Sequence, residues 1–539
     1  MNKAQHVKRR MTQMVAARQL HEQVWKDCYD MTYPERAHGL QSQIIGATDS
    51  QSRKAIIYDS TARDSCRVGS ASLMGAMVPS NAQWFGLDIG ESSTDEEKRF
   101  IDDVARFMWE NLHSSNFDAE AFDALIDNMA SGWFVLYEDE AEGGGYHFEL
   151  WALGECYIAS TSNAKRIDTV YRKFSLSVSQ LVAEYGEDKV SQKVRDMYAA
   201  GKLDEKVEIL HCIEPRGGYD SSKSDKLNLP FQSLHIESNG DHLLREGGYH
   251  EFPCMVPRWA RLPGSAYATG PMSDALADVR TLNQVAYLTL LGAETTITPM
   301  LKVVDDGVTN IRNIRMGPRK LLPVADINSI EPLNTGAKLE FGEMKAERLQ
   351  GSIRKMLLAD QLPPADGPVK TAYEWSIRVE TMRKILGPMF SRFQSEFLQP
   401  LIERTFGITW RANNLSGFAL IGKPPESLVN RNFTVRYLSP LARSQRLEDV
   451  SAMDRYEQAL GLAAQVDPSI LDVYDGEGAM RERADLLGIK TKLIRDERKV
   501  TDIREARAKA QADAQQQAVA AEGQMGMQDA MAQRVANAA

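Results

Sequence analysis

Cysteine is scarce in this 539-residue chain. The five present, Cys28, Cys66, Cys156, Cys212 and Cys254, are an odd number with no C-x-x-C pair, so neither a disulfide framework nor a zinc knuckle is encoded. They are expected to be reduced, mostly buried thiols. Long hydrophobic runs are also missing. The nearest, about residues 69–78, is roughly half a bilayer long and rich in Ser and Gly, which predicts no membrane span. The first residues are basic but are followed by neither an apolar core nor a small-residue cleavage site, so the chain is expected to be made and kept in the cytoplasm. Positive charge is in deficit as well. Lys and Arg number 64 against 74 Asp and Glu, a net charge of −10. That excludes a chain that is basic throughout, and any nucleic-acid contact must come from a local patch or be loose.

Catalytic constellations are absent too. The nine histidines are scattered without an H-E-x-x-H. His235, His242 and His250, seven and eight residues apart, read as ordinary histidines in a loop and strand region. No G-x-S-x-G elbow occurs. Gly417 to Lys423 has the G-x-x-x-x-G-K spacing of a phosphate loop, but Pro424 stands where magnesium binding needs Ser or Thr, and four apolar residues fill the loop. A strand and turn are expected there. The chain is read as no enzyme, with no metal and no cofactor.

What is present is ample core material, 43% hydrophobic with 26% charged, enough for three or four domains at about 150 residues each. Met11, Met14, Val15, Leu20, Val24, Trp25, Cys28 and Tyr29 predict an amphipathic helix stopped before Pro34. A second helix is expected over about 58–77 with a small-residue face of Ser65, Gly69, Ser72 and Gly75, then a short strand at 84–87. Thr94-x-x-Glu97 is a capping box. It opens a helix carrying Phe100, Ile101, Val104, Phe107, Met108 and Leu112, and another helix runs to Ala130. Strands are predicted at 133–137 and 147–151 across Gly143 to Gly145, and near 170–174, 207–213 and 234–237, with one helix over about 178–200. Residues 1 to about 265 therefore read as one α+β body.

From Pro271 a long helix is expected to 298, about 42 Å at 1.5 Å per residue, with Leu276, Val279, Leu282, Val285 and Ala286 on one face. A β-prone module at 300–338 follows, then a helix over about 341–361 with Met344, Leu349, Ile353, Met356 and Leu357. Arg312, Arg315, Arg319 and Lys320 make a basic cluster in the module, read either as a solvated loop or as a docking surface for an acidic partner or nucleic acid. Pro363, Pro364, Gly367 and Pro368 force an exposed loop that also holds Asp366, and Lys370 beside it shares the ambiguity. Thr371-x-x-Glu374 caps a very long helix toward Phe406, kinked at Gly387-Pro388. An apolar run at 418–421 and a strand at 433–438 precede a helical remainder, whose last 39 residues contain 13 Ala and 7 Gln.

This order resembles the head-to-tail connector, or portal, proteins of short-tailed bacteriophages. Four segments carry the resemblance: DSTARDSCRVGSASLMGAMVPSNAQWFGL (59–87), YHEFPCMVPRWARLPGSAYATGPMSDALADVRTLNQ (249–284), TAYEWSIRVETMRKILGPMFSRFQSEFLQPLIERTF (371–406) and the Ala/Gln-rich tail. GSAYATG is less Gly-rich than the form common in that family, and the module at 300–338 matches poorly. The resemblance implies a predominantly helical α+β fold assembled as a dodecameric ring. Its wing would be residues 1–265, its stem helices 266–299 and 340–362, and its small α/β clip 300–339. The channel loop would be 363–370, followed by a long kinked helix returning to the wing at 371–442 and a helical crown at 443–539. It further implies a virion protein at one capsid vertex, made in the host cytoplasm, through which double-stranded DNA passes without sequence specificity. Implied partners are the major capsid protein and scaffold, the terminase large subunit, tail adaptors and internal core proteins. Rival readings are a packaging ATPase, which would need the missing nucleotide site, and a non-ring virion protein such as a scaffold or tail adaptor.

Overall fold

A computed structural model of the chain describes residues 3–37, 39–40, 54, 56–90, 94–141, 143–161, 166–220, 225–298, 301–303, 330–332, 339–359, 387, 389–428, 433–438, 440–465, 467–487, 495 and 499–514. Helix α1, Lys3–Asp30, buries Ala4, Val7, Met11, Met14, Arg18, Trp25, Cys28 and Tyr29, a three-and-four spacing that puts them on one side of the cylinder. Helix α2, Thr61–Met77, is followed by β1, Phe85–Asp88. The capping box opens α3, Asp95–Ser114: the Thr94 amide donates to Glu97 Oε2 at 2.7 Å and the Glu97 amide to Thr94 Oγ1 at 3.4 Å. Helix α4, Phe117–Ser131, is closed by Gly132 at φ 92°, a left-handed cap that favours glycine.

Strands β2, Val135–Glu140, and β3, Tyr146–Trp151, form the expected hairpin across the glycines, with Val135 opposite Trp151. Then come β4, Cys156–Ala159, β5, Thr169–Ser177, helices α5, Val178–Tyr185, and α6, Gln192–Ala199, and strands β6, Lys206–Pro215, β7, Phe231–Glu237, and β8, His242–Tyr249. The short strands β9, Cys254–Met255, β10, Ala260–Arg261, and β11, Ala268–Thr269, lead into α7, Pro271–Ile297. Beyond it are β12, Leu301–Val303, β13, Ile330–Pro332, α8, Leu339–Met356, α9, Gln399–Leu415, β14, Thr434–Tyr437, α10, Pro440–Ala464, and α11, Gly476–Leu487. Residues 499–514 are again helical.

Strands β4-β5-β6-β7-β8 make an antiparallel sheet with helices on both faces. Successive side chains of a strand point to opposite sides, so Leu210 and Cys212 of β6 pack under α1 with Val7, Met11 and Met14, whereas Ile209 packs with Val178, Leu181 and Val194 of α5 and α6. A second sheet, β3-β2-β9, pairs Leu136 with Met255. Trp25, Trp133 and Tyr267 meet with ring centroids 5.2–5.4 Å apart and tie α1 to the segments around β2 and β11. Among the described residues the chain is mainly helical with these sheets. It divides into two compact units. One comprises Met1–Trp84, Arg106–Gly422 and Ser439–Leu441; the other comprises Phe85–Ala105, Lys423–Leu438 and Ala442–Ala539.

Several expectations are corrected. The single helix over 178–200 is two, because Gly186 takes φ 88°, outside the helical region. The second long helix stops at Met356 rather than near 361, where Leu358 turns to φ 61°. Residues 418–421 form a turn, not a strand. The small-residue face of α2 buries Ser65 and Gly69, while Ser72 and Gly75 lie nearer the surface. Of the face expected on α7, Val279 and Leu282 are buried together with Met272 and Ala275, and Leu276, Val285 and Ala286 are half-buried. The helix leading into α9 contains a π-turn, Gln394–Leu398. Gly387 is helical and Pro388, the other half of the expected kink, lies outside the described residues.

Candidate functional site

Helices α7 and α8 form an antiparallel pair. Ser352 Oγ donates to Asp278 Oδ2 at 2.9 Å, and ten residues earlier a Cβ on Gly342 would lie 2.7 Å from Thr289 Oγ1. The missing side chain lets the helices close at that point.

One end of the pair is rooted in the α+β body. Met272, Ala275, Val279 and Leu282 of α7, with Ile353 and Leu357 of and just after α8, are buried. The segment ahead of α2 clamps them. The Tyr58 amide donates to Asn283 Oδ1 at 2.7 Å, Asn283 Nδ2 donates to the Ile56 carbonyl at 3.0 Å, and Gln350 Nε2 donates to Asp59 Oδ2 at 2.9 Å. The Tyr58 and Tyr287 rings lie 5.0 Å apart. Arg280 pairs with Asp27 of α1 at 2.7 Å. On α2, a Cβ on Gly69 would stand 2.7 Å from the Leu357 carbonyl, so the glycine permits that approach.

The other end is bare. Leu288, Leu290, Leu291 and Ile297 of α7 and Phe341 and Met344 of α8 are exposed, Ile297 by 80% and Phe341 by 62%. Lone surface apolar residues are ordinary, whereas six large ones gathered at one end of a helix pair leave apolar surface uncovered in the single chain.

The described residues also decide the other sequence readings. The phosphate-loop spacing at 417–423 makes no anion cradle, since four of its amides are already used. The Gly417 amide donates to the Asn414 carbonyl, Phe418 to Asn413 O at 2.8 Å, Ile421 to Asn413 Oδ1 at 3.2 Å and Gly422 to Phe418 O at 3.1 Å. His235 and His211 face each other across β7 and β6 and stack at 3.9 Å. Tyr185 holds His235 at 2.7 Å and Ser233 holds His211 at 3.0 Å. Burial pushes both imidazoles down, His235 to about 3, so both rings are neutral parts of the core. His242 contacts the Lys189 carbonyl, and no cluster of metal-ligating side chains occurs among the described residues. All five cysteines are free and buried. No described helix is long and apolar enough to cross a membrane.

Of the residues singled out from the sequence, Arg312, Arg315, Arg319, Lys320, Pro363, Pro364, Asp366, Gly367, Pro368 and Lys370 lie outside the described residues. Sequence reasoning missed a buried clamp. Glu396, in the π-turn, accepts from the Arg258 amide at 3.0 Å, from Arg258 Nη2 at 2.7 Å and from Arg261 Nε at 3.1 Å. Its signal was faint: two arginines flank Trp259, and an acid stands among Phe393, Phe397 and Leu401 on a helix face otherwise apolar.

Comparison with known proteins identifies the family. The model of the family described as bacteriophage head to tail connecting protein matches residues 4–494. A probable portal protein of Bordetella phage BPP-1 is 30% identical over 514 residues, covering 93% of this chain and 90% of that protein. The portal protein of Salmonella phage epsilon15 is 28% identical over 541 residues, covering 95% and 93%. Among solved structures, a chain in the virion of a native gene transfer agent particle is 12% identical with TM-score 0.31, over 74% of this chain and 90% of that one. A chain in the neck of an empty particle of that kind is 13% identical with TM-score 0.32, over 78% and 89%. The match over 4–494 and the near full-length identity to the Bordetella phage protein show that this chain belongs to the bacteriophage head-to-tail connecting, or portal, protein family, a structural family and not an enzymatic one.

Proposed function

We propose that copies of this chain close into a ring, twelve as the family resemblance implies, set at one capsid vertex, and that its channel passes double-stranded DNA inward in packaging and outward in ejection. The observation that carries this reading is the bare end of the α7–α8 pair. A chain that leaves Leu288, Leu290, Leu291, Phe341 and Met344 about half exposed forgoes roughly 1 kcal/mol for each such side chain, about half of what full burial brings, and packing against the next copy recovers it. A head-to-tail contact repeated by rotation closes into a ring.

Charge supports the same reading. Twelve copies at −10 each carry about −120, which disfavours tight hold on a polyanion and suits a duplex that must slide. Residues 363–370 are the proposed channel loop, with Lys370 offsetting negative charge beside passing phosphates. The module at 300–339, with Arg312, Arg315, Arg319 and Lys320, is the proposed docking site for the terminase large subunit and then the tail adaptor. The capsid protein, scaffold and internal core proteins would meet the outer and interior surfaces. Negative-stain images of the purified chain test this: rings support the reading, and their absence under every condition returns the chain to a non-ring virion role such as scaffold or tail adaptor.

A further inference from the structure

Glu138 is fully buried on β2, and its environment carries an unbalanced pair of polar atoms. Glu138 Oε2 has no hydrogen-bond partner, and neither has Nε of Arg404 on α9. Arg404 is only 4% exposed, yet it spends its other nitrogens on more exposed acids: Nη1 donates to Glu251 Oε2 at 3.2 Å and Nη2 lies 3.6 Å from Asp139 Oδ1. Its guanidinium also sits over the Tyr249 ring, 5.3 Å from the centroid. A buried acid and a buried base of opposite charge thus coexist without taking each other's vacant atoms.

The neighbouring hydroxyl explains this. Thr405 Oγ1 stands 3.0 Å from Glu138 Oε1 and 2.6 Å from the Leu401 carbonyl. It has one proton, and the carbonyl, which can only accept, takes it at the shorter distance. The bond to Glu138 is then satisfied only if the acid itself donates to Thr405 Oγ1. We propose that Glu138 carries a proton in this fold and that losing it transfers Arg404 from Glu251 to Glu138, making a proton-linked latch between β2 and α9.

The charged and titratable groups around Glu138 fit both states. Burial raises its carboxyl to about 8, against the opposing pull of Arg404 and of the Thr405 hydroxyl, with Glu251 and Asp139 adding to the rise. Tyr146 on β3 faces it as a neutral phenol, its own ionisation pushed up by burial and by Glu138. When the proton leaves to water, Arg404 stays charged and exchanges one carboxylate for another. Glu251 is not abandoned, because Arg411 holds it at 2.7 and 2.9 Å. Gly407 lets the Glu251 carboxylate lie directly against α9, since a Cβ there would strike it. The latch thus loosens one of two holds between α9 and the segment ahead of β9, and the exchange is reversible.

Infrared titration of the full chain, with glutamate carbon-13 labelled at the carboxyl, reads the proton directly. Between about pH 6 and pH 9.5 a carboxylic-acid stretch should disappear with a midpoint near 8, and Glu138→Gln should lack it. Thr405→Val, which removes the acceptor, should shift that band in frequency. Hydrogen exchange of residues 249–256, corrected for the intrinsic rate, should rise several-fold over the same range in wild type and less than twofold in Glu138→Gln. No glutamic-acid band titrating above pH 6, a band unchanged by Thr405→Val, or equal exchange in wild type and variant would each overturn the latch. The wild-type titration decides even where a variant folds poorly.

Discussion

Gly132→Ala tests whether the start of α7 depends on a backbone crossing. Gly132 caps α4 at φ 92°, its amide donating to the Asn128 carbonyl at 2.8 Å while its own carbonyl accepts from the Trp259 amide at 2.7 Å. A Cβ there would lie 2.2 Å from the Thr269 carbonyl carbon and 2.4 Å from the Gly270 nitrogen. Both are main-chain atoms that cannot rotate aside, and Gly270 is the cap of α7. The left-handed conformation costs alanine about 1–2 kcal/mol, and forced displacement of packed backbone about 1–3 kcal/mol more. The expected loss is about 2–5 kcal/mol, a large share of the roughly 5–15 kcal/mol that holds an ordinary domain folded. Differential scanning fluorimetry should show a melting temperature lower by several degrees, and limited proteolysis should cut earlier near residues 259–271. Gly75→Ala is the control: nothing lies within 4 Å of its Cβ and its φ is not positive, so α2 should be unharmed or slightly stabilised. A Gly132→Ala protein melting with wild type would refute the claimed crossing.

Other expectations are as direct. The folded Glu138 carboxyl lies above its unfolded value, so its stabilising contribution is complete below about pH 4.5 and is lost as pH rises through about 8; Glu138→Gln should remove that fall in a melting-temperature profile. His235 and His211 shift the other way, so their contribution is present above about 6.5 and is lost at lower pH, that of His235 as pH falls through about 3. His235→Asn should make the acid side of the profile shallower. Leu288→Ser with Leu291→Ser should lower the yield of assembled particles on a sizing column while leaving the monomer's circular dichroism unchanged, because both residues lie on the bare end of α7.

Features set by neighbours in sequence were legible. The Thr94 box and the glycine hairpin between β2 and β3 each depend on a few adjacent residues and stand as expected; α1 forms as expected, but Leu20 and Val24 of its predicted stripe face solvent, and Arg18 is buried instead. Breaks set by one backbone angle were not. Gly186 was a helix-end signal that the apolar spacing on either side of it masked, and Leu358 inside a good helical run gives no composition signal until φ turns positive. The π-turn at 394–398 is likewise silent in spacing, yet it belongs with Glu396, whose partners Arg258 and Arg261 lie more than 130 residues away. The bare end of the α7–α8 pair was legible only in part. Leu and Met at helical spacing look the same whether they face a core or a neighbouring copy, and only accessibility separates Leu282 from Leu288. The basic cluster and the Pro-rich loop remain sequence expectations.

The central claim is that this portal-family chain is built to meet copies of itself. Light scattering coupled to size exclusion on the purified chain, across a range of concentration and salt, measures it most directly. A ring of twelve subunits of 60.2 kDa predicts a particle of about 720 kDa, with neighbouring stoichiometries permitted. A single species of 60.2 kDa under every condition would contradict the account.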